Sequence, residues 1–236
     1  MSVYDAIAEL YDPWSASVKE DVGFYVAEAR KSGGGPVVEL GVGTGRIAVP
    51  TAQAGVPVIG VDSSEGMLAV CRRRAEEVGV AQLLDLRVGD LRRPPVEERV
   101  RLVTAPFRSL LHLETDADRR ATLAAARRLL HPGGRLVFDV FAPSREDVEE
   151  THARWLEREP GIWERADWDL ERRVLTLWVR GPKGATRMRL AWLSPDEWRA
   201  LVEEAGFEVV ACYGWFDMAP YAGGEDTVWI ARRPAE

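Results

Sequence analysis

Cysteine is nearly missing from this 236-residue sequence, which holds only Cys71 and Cys212. That excludes a disulfide framework and a cysteine-rich zinc site, and each thiol reads as a small buried hydrophobe. Lysine is almost as scarce, at positions 19, 31 and 183 alone, so nearly all positive charge is carried by arginine. Positive charge is also in deficit, since 31 basic side chains against 38 acidic ones leave a net charge of −7. An acidic surface opposes phosphate backbones. The one basic run, Arg72-Arg73-Arg74, falls on an expected helix and reads as a solvated face, so no nucleic-acid partner is expected. No apolar run reaches the roughly 20 residues that cross a bilayer. The first residues carry Asp5, Glu9 and Asp12 instead of the basic start and apolar stretch of a signal peptide. A cytoplasmic protein without a membrane partner is the expectation. The three histidines, at 112, 131 and 152, have no metal-ligand spacing with acids or cysteines, and no metal site is expected.

What the chain does have is apolar residues, 46% of the total and enough for one sizeable core. Three regions emerge. Residues 1–35 read as a helical N-terminal cover, with Tyr4, Ile7, Ala8 and Tyr11 at helical spacing and an amphipathic stretch from Val18 to Arg30, stopped by Gly33-Gly34-Gly35-Pro36. From Val37 to Phe141 short apolar runs alternate with helices. The runs are Val37–Leu40, Val56–Val61, Leu84–Val88, Arg101–Ala105 and Leu136–Phe141, and the clearest helices are Ser64–Val78 and Thr115–Leu130. Such alternation predicts buried parallel strands with right-handed crossovers in a doubly wound sheet. Residues 151–193 break the rhythm with three candidate strands, around 162–167, 174–179 and 187–193, joined by short turns. They predict an inserted antiparallel sheet, a lid or an interface. Residues 36–150 and 194–236 form the α/β domain, closed by a helix from the Ser194–Glu197 capping box and strands at 208–213 and 227–231. Pro50 sits where the helix after Gly45 should run, which calls for a kink or a later start.

The chemistry is carried by Val37-Val38-Glu39-Leu40-Gly41-Val42-Gly43-Thr44-Gly45. A buried strand runs into three alternating glycines and then a helix, a turn on which a ligand can lie against bare backbone. Asp62 ends the second strand, where a carboxylate accepts from ribose hydroxyls, and Asp90 ends the third, where one could accept from an adenine amino group. A dinucleotide turn is G-x-G-x-x-G with pyrophosphate on the helix N-terminus. This one is G-x-G-x-G, and Glu39 before it would repel a pyrophosphate. S-adenosylmethionine, with an adenosine and an ammonium but no phosphate, fits that charge better than NAD.

Glu39 to Gly45 resembles the first motif of the class I S-adenosylmethionine-dependent methyltransferases. Val58 to Leu68 is similar to their second, Gly89-Asp90-Leu91 to their third, and Leu130 to Leu136 to the turn into their fifth strand. The resemblance implies a Rossmann-like methyltransferase fold, a seven-stranded, mostly parallel α/β sheet with its last-added strand antiparallel. It implies that Gly41, Gly43 and Gly45 back the methionine portion and Glu39 orients that end, that Asp62 holds the ribose, and that Ser63 and Met67 flank the adenosine. Asp90 and Leu91 would meet the adenine, and Ala105 and Phe107 the methionine tail. Tyr11 would reach the methionine carboxylate or the acceptor. The early Tyr4-Asp5 and Tyr11-Asp12 pairs and the insertion after the fifth strand resemble the small-molecule branch that includes amino-sugar N-methyltransferases. The inserted sheet matches nothing that identifies the acceptor.

Methyl transfer from a sulfonium is a direct displacement, in which alignment alone can supply roughly 7–11 kcal/mol. A base is needed only for a protonated nucleophile. His112 is the first candidate, because neutral imidazole accepts a proton near neutral pH; Tyr11 is a weaker one, and Asp139 could bind an amine acceptor. His131 reads as a helix C-terminal residue and His152 as part of a solvated face. Eight of nine tryptophans lie from Trp155 onward, to line an acceptor pocket, fill the insert's core or make a subunit contact. The expected function is transfer of a methyl group to an N or O nucleophile of a small molecule, by a monomer or homodimer. The alternatives are an NAD-dependent oxidoreductase and a nucleoside-binding protein without turnover. A protein substrate also stays open.

Overall fold

The strands of the central sheet send apolar side chains alternately to two faces, and that period of two builds both halves of the core. In β1 (Val37–Leu40), Val38 and Leu40 enter one core and Val37 the other. In β4 (Val100–Ala105), Val103 and Ala105 take the first side and Leu102 the second. Helices cover both faces in the computed structural model, which describes residues 2–15 and 19–235. On the first lie α5 (Asp116–Leu129) and α7 (Pro195–Glu204), through Leu123, Ala126, Trp198 and Val202. On the second lie α2 (Glu20–Arg30), α3 (Ala48–Gln53) and α4 (Glu65–Glu77), through Tyr25, Ala52 and Leu68.

The sheet is completed by β2 (Val58–Asp62), β3 (Leu84–Val88), β5 (Leu130–Phe141), β10 (Glu208–Tyr213) and β11 (Asp226–Arg232), in the order β10-β11-β5-β4-β1-β2-β3. Pairs from β5 across to β3 are parallel, and β11 runs antiparallel to both of its neighbours. The winding reverses between β4 and β1, and at such a switch the strand ends open a crevice. The expected doubly wound α/β sheet is therefore observed.

Several local expectations change. The insert has four antiparallel strands, not three: β6 (Trp155–Glu159) precedes β7 (Ile162–Asp169), β8 (Val174–Gly181) and β9 (Gly184–Ala191). β6 escapes a sequence reading because Trp-Leu-Glu-Arg-Glu has a single aromatic residue and no β-branched one. A short α6 (Arg145–Thr151), opened by a Ser144–Asp147 capping box, leads into it. His152 is no idle surface residue, since its Nδ1 accepts the Trp168 main-chain N–H at 3.1 Å. One side of the insert, with Ile162, Leu177, Val179 and Leu190, joins the first core directly. The N-terminal region divides in two. A 3₁₀ turn at Asp5–Ile7 and α1 (Ala8–Trp14) cover the crevice, whereas α2 packs on the opposite face against α3. Val18, expected to open that second helix, lies outside the described residues. α3 starts late, at Ala48, which puts Pro50 in the first turn, where its missing N–H costs no helical bond. Among the described residues no helix is long and apolar enough to cross a membrane.

Candidate active site

The turns that leave β1, β2, β3 and β4 enclose a cleft of about 330 Å³. Gly41, Gly43 and Gly45 all have positive φ, at 76°, 54° and 78°, but the space around them differs. A Cβ on Gly41 would lie 2.5 Å from Ser109 Oγ, and one on Gly45 2.5 Å from Cys71 Sγ. Gly45 is a packing glycine that does not line the cleft, contrary to its expected place behind a ligand. A Cβ on Gly43 would make only ordinary contacts, with Met67 Cε at 3.4 Å and Gly41 O at 4.0 Å, and would take up cleft volume.

Asp62, at the end of β2, clamps this turn. Its carboxylate accepts the Gly43 N–H at 2.9 Å and the Ser64 N–H at 2.8 Å. Burial raises its pKa, against the pull of those N–H groups. Ser63, Met67 and Leu91 line the same cleft. Asp90 stands at its mouth, chelated by Arg92, which also reaches Asp118 at 2.8 Å. The guanidinium of Arg92 holds the Asp90 carboxyl below the usual carboxylate range.

After β4 the chain makes two consecutive left-handed residues, Phe107 and Arg108, with φ of 52° and 63°. Such geometry costs on the order of 1–3 kcal/mol per residue and persists only when over-determined. Asp139 supplies the restraint, accepting the N–H groups of Phe107 and Arg108 at 2.8 and 2.9 Å and the Tyr25 hydroxyl at 2.5 Å. It is thus engaged with protein donors, off the cleft lining, and the expectation that it binds an amine is corrected. Burial pushes its carboxyl up to about 6. The strained turn presents Phe107 to the cleft, with Arg46 stacked over the ring at 4.2 Å. Ala105 is wholly buried behind the turn and does not reach the cleft.

His112 closes the short 3₁₀ turn Ser109–His112 and lines the cleft. The Tyr4 hydroxyl bridges its Nε2, at 2.9 Å, and Met188 Sδ, at 3.1 Å. Burial pushes the imidazole down to about 4, so it is neutral at physiological pH. Tyr11 meets Tyr4 and Phe107 edge to face at centroid distances of 5.8 and 6.3 Å. Burial raises its phenol far above the neutral range, against the nearby Arg46 charge. Its hydroxyl therefore stays protonated near neutral pH and is placed to orient a ligand.

Two groups behind the lining set the electrostatics. Glu39 is 2% exposed and lies off the cleft wall, with burial pushing its carboxyl up to about 8. Arg46 and fully buried Asp21 form a doubly hydrogen-bonded pair beside it. With Glu39 protonated these three groups sum to zero charge; ionising it calls for one more cation. The second set is the latch on the cover. Asp5 accepts the Ser64 hydroxyl at 2.6 Å and the Gly66 N–H at 3.1 Å. Asp12 accepts the Thr44 hydroxyl at 2.5 Å and Arg74 at 2.9 Å. Arg72 and Arg73 are exposed, as a solvated face requires, with Arg73 meeting Glu9 at the surface at 2.9 Å, and of the three only Arg74, partly buried, joins the latch.

The fold therefore gathers Tyr11, Gly41, Gly43, Asp62, Ser63, Met67, Asp90, Leu91, Phe107 and His112 around one cleft, and leaves Glu39, Gly45 and Ala105 behind it. Sequence reasoning missed Tyr4 and Ser109 as lining residues. The Tyr-Asp repeat was the available signal for Tyr4; nothing in the sequence marks Ser109. Among the described residues no group of three or more His, Cys, Asp or Glu side chains is placed to hold a metal ion.

The methyltransferase domain family matches residues 37–134. An uncharacterized methyltransferase of Geobacillus kaustophilus is 33% identical over 181 residues, 73% of this chain and 77% of that protein. Among solved structures, the CcbJ methyltransferase from Streptomyces caelestis matches with a TM-score of 0.86 at 29% identity, covering 100% of this chain and 99% of its own. CalS10 from Micromonospora echinaspora, described as an amino pentose methyltransferase and solved with S-adenosylmethionine bound, matches with a TM-score of 0.66 at 21% identity, covering 99% and 97%. At that identity the CalS10 likeness is one of fold alone.

Proposed function

The chain belongs to the class I S-adenosylmethionine-dependent methyltransferase family, and from that premise we propose that it methylates a nitrogen or oxygen nucleophile of a small molecule. Family membership sets aside the oxidoreductase and the binding protein without turnover. The cofactor is S-adenosylmethionine, and the chain's own residues suit it. Gly43 offers a cradle that a side chain would fill, the Asp62 carboxylate faces the same space, and a buried acid, Glu39, stands ready to balance a cation. When bound, the cofactor supplies an electrophilic methyl group on a sulfonium.

In this reading Asp62 holds the ribose, Ser63, Met67, Asp90 and Leu91 enclose the adenosine, and Glu39 balances the ammonium from behind Gly41. Phe107 and Tyr11 wall the methionine end, with Tyr11 orienting and not accepting a proton. His112, kept neutral, is the acceptor for a proton leaving the nucleophile. The depressed value keeps the ring unprotonated and able to accept while making it a weak base, so the proton is held only transiently, and Tyr4 fixes the ring by bonding Nε2.

The observation that carries the small-molecule reading is the cover. Residues 2–14 lie across the cleft, latched by Asp5 and Asp12 to α4 and the glycine turn. A cleft of about 330 Å³ beneath such a cover is on the small-ligand scale, which supports a small acceptor. The test is transfer of labelled methyl from S-adenosylmethionine to a panel of small amines and alcohols, alongside peptide, protein and RNA fractions. Label in the small-molecule panel is expected; label confined to the protein or RNA fraction would overturn the reading.

A further inference from the structure

The inserted sheet buries one face and leaves the other uncovered. Strand pairing puts Trp155 opposite Arg165, Glu157 opposite Trp163, and Trp178 between Arg165 and Arg187, so these residues share the outer face. Trp155, Trp163 and Trp178 are only partly buried there. Arg180 stacks over Trp155 at 4.2 Å and Arg187 lies 5.4 Å from the Trp178 ring. Neither guanidinium meets a carboxylate among the described residues. Aromatic residues and arginine are the types enriched at protein interfaces and at their energetic centres.

Charge on this face is divided across the sheet. The β6–β7 half carries Glu157, Asp167 and Asp169, with Arg165 tied to Asp167 at 2.9 Å. The β8–β9 half carries Arg180 and Arg187, beside an Arg189 already tied to Glu114 at 2.9 Å, and no acid. A two-fold axis parallel to the strands, passing between β7 and β8, would set each acidic half against the partner's basic half. We propose that the outer face of β6–β9 is an isologous interface with a second copy of this chain. An acidic partner protein would satisfy the basic half and be repelled by the other, and a nucleic acid would meet Glu157 and Asp169. A second copy satisfies both halves.

The size fits a reversible pair. Strands of up to eight residues, four abreast, present a face of roughly 19 by 26 Å. Two such faces, with side-chain relief, bury on the order of 1,000 Å² or somewhat more, near the lower limit for a specific complex. Association in the micromolar range is therefore expected.

The test is sedimentation equilibrium of the full chain over a concentration series, with two charge-reversed variants. One is Arg180→Glu with Arg187→Glu; the other is Glu157→Arg with Asp169→Arg. All four positions lie outside the cleft, so cofactor affinity stays at the wild-type value and reports that each variant is folded. The wild type is expected to reach twice its 26.3 kDa mass, each variant alone to weaken at least tenfold, and an equimolar mixture of the two to pair again, because both halves then match. A wild type that stays monomeric overturns the proposal. So does dimerisation that ignores the substitutions, or two folded variants that fail to pair when mixed.

Discussion

Replacing Glu39 by glutamine should make the cofactor-free protein more stable, and by an amount that grows with pH. The carboxyl is moved by burial from 4.5 to about 8. Between those values the folded chain retains a proton that the unfolded chain has released, so stability is full below the unfolded value and is lost as pH rises toward the folded one. At 1.36 kcal/mol per pH unit the whole loss is at most about 4.8 kcal/mol. Glutamine mimics the protonated acid and abolishes this slope, while imperfect fit of its amide costs about 1 kcal/mol. The variant should therefore equal the wild type or fall slightly below it near about pH 4.5, and exceed it by about 2–4 kcal/mol near about pH 8.5. Urea unfolding at the two pH values, with and without S-adenosylmethionine, measures this. The cofactor should stabilise the wild type far more than the variant, since only a carboxylate can balance its ammonium. A difference between the two proteins that is the same at both pH values would show that Glu39 is already ionised in the free protein, and the charge argument would fail.

Asp62→Ala should weaken S-adenosylmethionine binding by roughly 10²–10³-fold, the loss of two charge-assisted hydrogen bonds of about 1.5–3 kcal/mol each, partly offset by water. Titration calorimetry reads it, and affinity within threefold of wild type removes Asp62 from the site. For His112 the folded value is depressed from 6.5 to about 4, so the unfolded chain binds the extra proton and stability falls as pH drops through that window. The upper bound is about 3 kcal/mol, which His112→Gln should abolish in acid unfolding curves. The same variant should slow turnover with near-normal cofactor affinity; undiminished turnover would dismiss His112 as the proton acceptor.

The fold was legible because its signals are local. Val37–Leu40 and Arg101–Ala105 are short enough and apolar enough to be strands buried on both faces, and the Ser194–Glu197 capping box marks its helix directly. The glycine turn, Asp62 and Asp90 were legible for the same reason, since each sits at the end of such a strand. The residues misread depend on contacts distant in sequence. Asp139 looks like a free acid until the main chain of Phe107 and Arg108 is brought against it, and the strained turn it holds has no glycine to announce it. Gly45 and Gly43 are equivalent in the motif, yet one faces Cys71 and the other the cleft, a difference set by where α4 packs. β6 is a strand only because β7 offers it an edge.

The Tyr-Asp repeat shows how a short pattern can encode a latched cover. Tyr4 precedes the 3₁₀ turn and Tyr11 lies in α1, yet both line the cleft and meet edge to face at 5.8 Å. Each aspartate follows its tyrosine by one residue and points away from it. If tyrosines face the cleft, aspartates must face its rim. There Asp5 finds Ser64 and Gly66, and Asp12 finds Thr44 and Arg74. Two of these partners, Ser64 and Thr44, adjoin the Asp62 carboxylate and the Gly43 N–H that it binds. A ligand that settles the glycine turn thereby settles the donors of the latch, and a cover held by the latch keeps Tyr4 on His112. The glycine turn, the latch and the Tyr4–His112 contact are in this way joined through one set of hydrogen bonds.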